Sequence, residues 1–319
     1  MKRADWHLRA NVFVVIYLLA ALISGVVSAL SVEKELSWLT IHLLLLGAVT
    51  NGILTWSEHF VGALLWSRPV NRIRQISIVL ILNAGILGVL AGISMALDWL
   101  VVVSGVAIAV ITAFYLRGVN RLIKGSINRK FVGVIRYYQV AGISIFFGIY
   151  FGASIVFMTE TDPWEPKFHL AHLHANLLGW VGITMIGTLV TLWPTILRTP
   201  MHPRALVAAA LGLKFLVAGL ILVVGGALID NRVLYVVGDL LYLIGVLVAL
   251  FPAALLIRNR VPDRASSWMI LMGIIGLLVL LILNAVTAIA NDNPEEILKV
   301  IEAHMLALLA PWLVRSNDL

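Results

Sequence analysis

The chain contains no cysteine, and only 12% of its 319 residues are charged. Without cysteine it cannot hold disulfides, thiolate metal sites, iron–sulfur clusters or covalently attached c-type haem. A soluble domain carries about 25% charged residues, about twice the fraction found here. A Gly-rich phosphate loop, a GxSxG elbow and an HExxH helix are also missing. The commonest motifs of soluble enzymes are therefore excluded.

Apolar residues dominate the composition instead. They make up 61% of the chain, and the mean hydropathy is +1.02. The apolar stretches are about 20 residues long or longer, which is the length a helix needs to cross a bilayer. We therefore predict an all-α, polytopic membrane helix bundle with about ten transmembrane helices. The expected spans are about 11–31, 38–66, 75–97, 99–116, 132–158, 168–196, 205–229, 233–257, 267–290 and 296–314.

The loop charges predict the orientation of these spans. With the N-terminus inside, 18 of the 23 Lys and Arg residues fall in inner loops, and one more, Lys214, falls within a span. The outer loops then hold only Lys34, Lys167, Arg232 and Lys299. This agrees with the positive-inside rule and predicts a cell inner (cytoplasmic) membrane protein with both termini cytoplasmic. The net charge of +7 is then explained by the inner loops, and we expect no nucleic-acid partner.

A four-helix period relates the spans to one another. The segment His42–Val49 in the second span and the segment His174–Val181 in the sixth both fit H-x-x-L-L-G-x-V. His304 lies in the tenth span, four helices further on. We therefore expect a single integral membrane domain over 1–319, built from repeat arcs at about 11–116 and 132–257 and a partial third at 267–314.

The histidines are the candidate ligands. His169, His172 and His174 lie within six positions, and His42 and His304 fall at similar depths, within an outer layer about 10 Å thick. A lone histidine at a membrane boundary is ordinarily interfacial, and we interpret His7, His59 and His202 in that way. The shared depth and the period instead favour His42, His172, His174 and His304 as metal or cofactor ligands, with His169 equally open to both interpretations. His172 and His174 are two residues apart, so they point about 200° apart on a helix and cannot chelate one ion together.

Polar residues within the spans are candidates for a supporting role. Asp239 and Glu302 lie at comparable depths in the eighth and tenth spans, where ionisable residues usually face a cavity or a partner. Either could orient a ligand histidine by accepting its second N–H, or could pass protons. Asn176 is placed with them as a residue expected to support the ligands.

One stretch resembles a known superfamily. Ala171-His172-Leu-His174, followed by a glycine-containing apolar helix, resembles the A-H-x-H stretch of catalytic subunits in the haem–copper oxidase and nitric oxide reductase superfamily. That resemblance implies that His172 binds a high-spin haem and that His174 and His42 bind a low-spin haem. It also implies three arcs of four helices with ligands on helices two, six and ten. The segment from His42 to Phe60 is similar to the His-containing helices of NnrS-type membrane proteins and of membrane regions attached to multicopper oxidases or copper nitrite reductases.

The resemblance has a limit in the copper centre. The superfamily's copper site uses an H-x-x-x-Y-type helix and a His-His pair, and the sequence has neither. The function we expect is therefore a membrane-embedded b-type haem protein that transfers electrons or handles nitric oxide or dioxygen near the outer leaflet. An outer-side copper or haem protein is the expected electron-transfer partner, and the oxidoreductase activity itself stays open.

Two other functions agree with the same residues. A haem-free protein that binds or transfers copper would use the imidazoles, with Met158 and Met305 on the same side. A metal-free transporter built from repeats would use the intramembrane ionisable residues, although the repeats share a histidine rather than a broken helix.

Overall fold

The computed structural model describes residues 3–31, 34–67, 72–291 and 295–301. Within these residues the chain is all-helical and contains no strand, and nine helices are long and apolar enough to cross a membrane. The prediction of a polytopic helical membrane bundle is therefore confirmed. The expected tenth span, 296–314, falls mostly outside the described residues, although 295–301 are helical.

The first four helices precede the loop between Lys124 and Val132. They are α1 (Arg3–Ser31), α2 (Lys34–His42, then a π-helical segment Leu43–Val49, then Thr50–Leu65), α3 (Arg72–Ser94) and α4 (Asp98–Lys124). The other five are α5 (Val132–Ile155), α6 (Glu165–His174, a π-helical segment Ala175–Gly182, then Ile183–Ile196), α7 (Ala205–Leu228), α8 (Arg232–Leu255, followed by a 3₁₀ turn Leu256–Arg258) and α9 (Ala265–Ala290).

The fourth helix is longer than predicted. Its span was expected to end near residue 116, with a loop from 117, but the helix continues to Lys124. Arg117, Arg121 and Lys124 are exposed on these last two turns, while Val119 and Leu122 are buried. A helix can therefore extend past the apolar stretch because its basic face meets water and its apolar face stays packed.

The chain divides into two compact units. The described residues up to Arg129, which form α1–α4, make the first unit, and the second begins at Lys130 with α5–α9. The boundary falls between the first two repeat arcs predicted from the sequence.

Buried polar pairs tie the helices of the first unit together. Asn51 of α2 and Asn83 of α3 exchange amide hydrogen bonds of 3.1 and 2.9 Å, and each amide also donates to the main-chain carbonyl four residues earlier. Near the other end of α2, buried Glu58 forms an ion pair of 2.7 Å with Arg74 of α3. Such pairs satisfy polar groups that lipid cannot solvate.

Glycines allow the closest helix contact in the second unit. Gly212, Gly219 and Gly226 recur every seven residues on α7 and face α8, where a Cβ at Gly219 would lie 2.5 Å from the backbone nitrogen of Tyr242. On α8, Gly238 and Gly245 face α7 in the same way. Helices in lipid gain from such close backbone approach because apolar side chains alone provide little driving force there.

The sixth helix occupies the centre of its unit. In α6, 61% of the most apolar stretch is buried within the protein, compared with 17% in α9. The buried indole of Trp193 in α6 donates to the carbonyl of Ala253 in α8, and Tyr138 of α5 lies 2.9 Å from the hydroxyl of Thr188. Side chains of the last turns of α6 are thus held by α5 and α8.

Candidate functional site

His42 precedes a π-helical segment in α2. Its Nδ1 donates to the carbonyl of Trp38 at 2.9 Å, and its ring stacks on the Trp38 indole with centroids 4.3 Å apart. The π-helical segment Leu43–Val49 follows at once. Gly47 within it lets the ring of Tyr17 approach, since a Cβ there would lie 2.6 Å from that ring.

His174 occupies the matching position in α6. Its Nδ1 donates to the carbonyl of Leu170, again four residues earlier, at 2.7 Å. The π-helical segment Ala175–Gly182 starts at the next residue, and Gly179 admits Ser144 of α5 to 2.5 Å from the position its Cβ would take. The sequence repeat is therefore also a conformational repeat. Both glycines allow a side chain of a neighbouring helix to approach closely. Short π-helical segments are rare and occur often at functional sites.

His172 is held by a neighbouring helix. Its Nδ1 lies 2.8 Å from the carbonyl oxygen of Gly148 in α5. Its ring lies against Gly152, where a Cβ would be 2.6 Å from Cε1 of the imidazole. Gly152 thus leaves room for this histidine, and Gly148, one turn earlier on α5, leaves room for Asn176. The prediction that His172 and His174 point in different directions agrees with these contacts, because His172 bonds to α5 and His174 does not.

All three histidines therefore present the same tautomer. A carbonyl oxygen can only accept, so each Nδ1 must carry the hydrogen, and Nε2 carries the lone pair in a neutral ring. Histidines that bind metals characteristically donate their other N–H to a carbonyl or carboxylate in this way. His42 and His172 are half-buried, whereas His174 is 2% exposed.

A buried polar chain occupies the Nε2 side of His174. The hydroxyl of Tyr235 in α8 lies 3.0 Å from Nε2 of His174 and 2.9 Å from the side-chain oxygen of Asn284 in α9. The amide nitrogen of Asn284 lies 2.7 Å from Oδ1 of Asp239 and 3.5 Å from Nε2 of His174. Among the described residues Oδ2 of Asp239 has no hydrogen-bond partner, and Asp239 has no exposed surface. Three helices meet at this chain.

The sequence predicts two possible roles for Asp239, to accept the second N–H of a ligand histidine or to pass protons. At His174 the acceptor of that N–H is the carbonyl of Leu170, and Asp239 reaches His174 only through Asn284. A carbonyl four residues earlier on the same helix is available without any other helix, which is why the local acceptor is the one used.

The remaining predicted residues have separate surroundings. His169 pairs with Glu165, one turn earlier, at 2.8 Å. Asn176 contacts His172, with its amide nitrogen 3.3 Å from Nδ1 and 2.8 Å from the main-chain oxygen. His304 and Glu302 lie outside the described residues. His42 belongs to the first compact unit, and His172 and His174 belong to the second.

The described part of the chain brings together no group of three His, Cys, Asp or Glu side chains that could hold a metal ion. The cavity beside His174 is small, about 20 Å³, and is lined by Leu177, Leu281 and Asn284 among others. That volume is enough for one water molecule.

Two members of the buried chain were not found from the sequence. Tyr235 and Asn284 lie 61 and 110 residues from His174, and neither is ionised at neutral pH, so neither is conspicuous in an apolar span. The only available signal was that an asparagine is costly in lipid without a partner.

No family model, curated protein or solved structure matches this chain.

Proposed function

We propose that this chain is a membrane-embedded redox protein that binds b-type haem through histidine Nε2 atoms near the outer leaflet, with His42 as the candidate ligand in the first unit and His172 as the candidate ligand in the second. The common orientation of the imidazoles supports this proposal best: each Nδ1–H is bonded to a main-chain carbonyl, which holds the ring and directs the Nε2 lone pair away from its own helix turn. Multi-pass insertion in a membrane follows from the nine apolar helices. The loop charges support the outer-leaflet position in this proposal.

The histidine side chains of the described residues suit haem better than a bare metal ion. A copper or zinc ion usually needs three or four protein ligands, and the described residues contain no such group. A haem iron takes four ligands from its own ring and needs only one or two imidazoles. The haem-free copper hypothesis is therefore the weaker one for the part of the chain that the structure describes.

The structure favours His172 over His174 as a ligand. Nε2 of His174 lies against the Tyr235 hydroxyl and the ring is almost fully buried, so a ligand there would have to displace a buried phenol. His172 has the same fixed Nδ1 and is half-buried against the glycines of α5. The low-spin role that the resemblance implies for His174 thus has less geometric support than a ligand role for its neighbour.

The protein's own residues would have three tasks. The carbonyls of Trp38 and Gly148 hold the tautomer in which Nε2 carries the lone pair, and hydrogen bonding at Nδ1 makes that nitrogen a stronger base. Trp38 restricts the rotation of His42 by stacking, and Gly152 gives His172 its place on α5. Bound haem would supply one-electron chemistry.

A reduced-minus-oxidised spectrum of the purified full chain, with pyridine haemochrome analysis, tests the proposal. We expect a b-type spectrum in the unaltered protein and its loss in His42→Ala and in His172→Ala. His59→Ala is the matched control, because His59 is exposed near the other end of α2. Absence of haem from the unaltered protein would refute the proposal. Loss in His174→Gln, with His172→Ala unaffected, would restore the assignment made from the resemblance.

A further inference from the structure

Four buried side chains contact one another in series: Asp239, Asn284, Tyr235 and His174. If the Asn284 amide is oriented with its oxygen towards Tyr235, one of these contacts has no hydrogen to form a hydrogen bond. In that orientation the single Tyr235 hydrogen is donated to Asn284. The one hydrogen of neutral His174 is on Nδ1 and is donated to Leu170. No hydrogen is left for the 3.0 Å contact between the Tyr235 oxygen and Nε2 of His174, where two lone pairs would face each other.

Two arrangements remove this conflict. In the first, His174 is doubly protonated and donates to Tyr235, and Asp239 is an ionised carboxylate. That arrangement places two charges inside membrane-spanning helices, and burying an ion costs several kcal/mol even after relaxation. The carboxylate would receive one hydrogen bond from Asn284, while its Oδ2 would have no partner.

In the second arrangement every group is neutral. Turning the Asn284 amide by 180° exchanges its nitrogen and oxygen, which have nearly the same shape. Asp239 then donates from Oδ1 to the amide oxygen, and the amide nitrogen donates to the Tyr235 oxygen. Tyr235 donates to Nε2 of His174, and His174 donates from Nδ1 to Leu170. Each contact now has one hydrogen, and all donors point the same way along the chain.

The surroundings of Asp239 favour the neutral arrangement. No salt bridge to Asp239 occurs among the described residues, and Lys214 of the adjacent α7 is exposed. Gly238 of α8, the residue before Asp239, packs backbone to backbone against Gly219 of α7. Glycine therefore makes the α7 surface there. Among the described residues, the other titratable groups near Asp239 and Asn284 are Tyr235 and Tyr242 on α8 itself and His174 on α6. Without a cation nearby, an isolated carboxyl in this position keeps its proton.

We propose that Asp239 is a proton-binding site within the membrane-spanning part of the second unit, which holds its proton at neutral pH and donates it in a hydrogen bond to Asn284. The site sits about ten ångströms along α8 from its first residue, Arg232, at 1.5 Å per residue. Its hydrogen bonds lead to His174 and Leu170 and do not include the proposed ligand His172, whose Nδ1 bonds to Gly148.

Infrared and ¹³C NMR spectra of the full chain labelled with [4-¹³C]aspartate test this proposal. At neutral pH one labelled carbonyl signal should be that of a neutral carboxylic acid, while the exposed aspartates give carboxylate signals. The neutral signal should vanish completely in Asp239→Asn and persist in the control Asp263→Asn, whose side chain is exposed in a loop. In Tyr235→Phe it should persist but shift, because the hydrogen-bond chain is cut.

Two results would overturn the proposal. One is the absence of any neutral carboxyl signal from the labelled unaltered protein, which would mean that Asp239 is ionised. The other is a neutral signal that survives Asp239→Asn. The labelled unaltered chain gives the first result by itself, so the proposal stays testable even if Asp239→Asn does not fold.

Discussion

Removal of the arginine from the Glu58–Arg74 pair should destabilise the first unit strongly. The two charges are 2.7 Å apart, and the Glu58 side chain is 4% exposed compared with 23% for Arg74. At an effective dielectric constant of about 20, this attraction is about 6 kcal/mol, most of which offsets the desolvation of the two groups. A Cβ at Gly118 of α4 would lie 2.5 Å from Oε1 of Glu58, so this site has no room for a compensating shift.

The two single variants should lose different amounts of the free energy of unfolding. Arg74→Met leaves a buried carboxylate without its partner, and we expect the free energy of unfolding to fall by about 3 kcal/mol, the lower end for a broken buried pair. Glu58→Gln should cost only about 1 kcal/mol, because Arg74 keeps its bond to the carbonyl of Phe114 and can extend its head towards water. The double variant should be more stable than Arg74→Met alone.

Reversible unfolding in mixed detergent micelles, followed by tryptophan fluorescence, measures these differences. Arg260→Met is the matched control, since the Arg260–Asp263 pair is 3.4 Å long with both side chains well exposed, and such pairs contribute about 0–1 kcal/mol. Equal losses for Arg74→Met and Arg260→Met would refute the reasoning. So would a double variant whose loss equals the sum of the two single losses.

Two further predictions concern the histidine site and the orientation. Gly152→Ala should push the imidazole of His172 off α5 and reduce haem binding at least severalfold in a haem titration. Gly133→Ala on the same helix is the control, because a Cβ there meets nothing within 4 Å and should not change haem binding. Equal effects of the two variants would contradict a role of the Gly152–His172 contact in haem binding. Because the chain lacks cysteine, Ile127→Cys and Thr161→Cys introduce the only thiols. An impermeant maleimide should label the first only from the cytoplasmic side of oriented vesicles and the second only from outside, and the reverse labelling would invert the topology.

Hydropathy and loop charge were sufficient to predict the helices. A run of about 20 apolar residues has few alternatives to a helix in lipid, because every backbone group must be paired within the segment. The histidine repeat was also visible from the sequence. The π-helical geometry that follows His42 and His174 was not, because hydropathy and spacing do not distinguish an i→i+5 turn from an α-helical one.

The partners of buried polar groups could not be predicted from spacing. Glu58 is next in sequence to exposed His59, yet its ion-pair partner Arg74 comes from the next helix, 16 residues away. Asp239 was recognised as an unusual intramembrane residue, but its partner Asn284 lies 45 residues away on another helix. Helical periodicity limits which residues share a face of one helix, but it does not identify which face of another helix they meet.

The glycine spacing between α7 and α8 also bears on how the protein is assembled in the membrane. A seven-residue repeat corresponds to 3.5 residues per turn, the period of helices that wind around each other with a left-handed twist. The connection between the two helices is only residues 229–231. The pair can therefore be inserted as a preformed hairpin before α9 has been synthesised. Asp239 would enter the bilayer on that hairpin without Asn284. The later insertion of α9 would then supply its hydrogen-bond partner, so α9 would join the hairpin last.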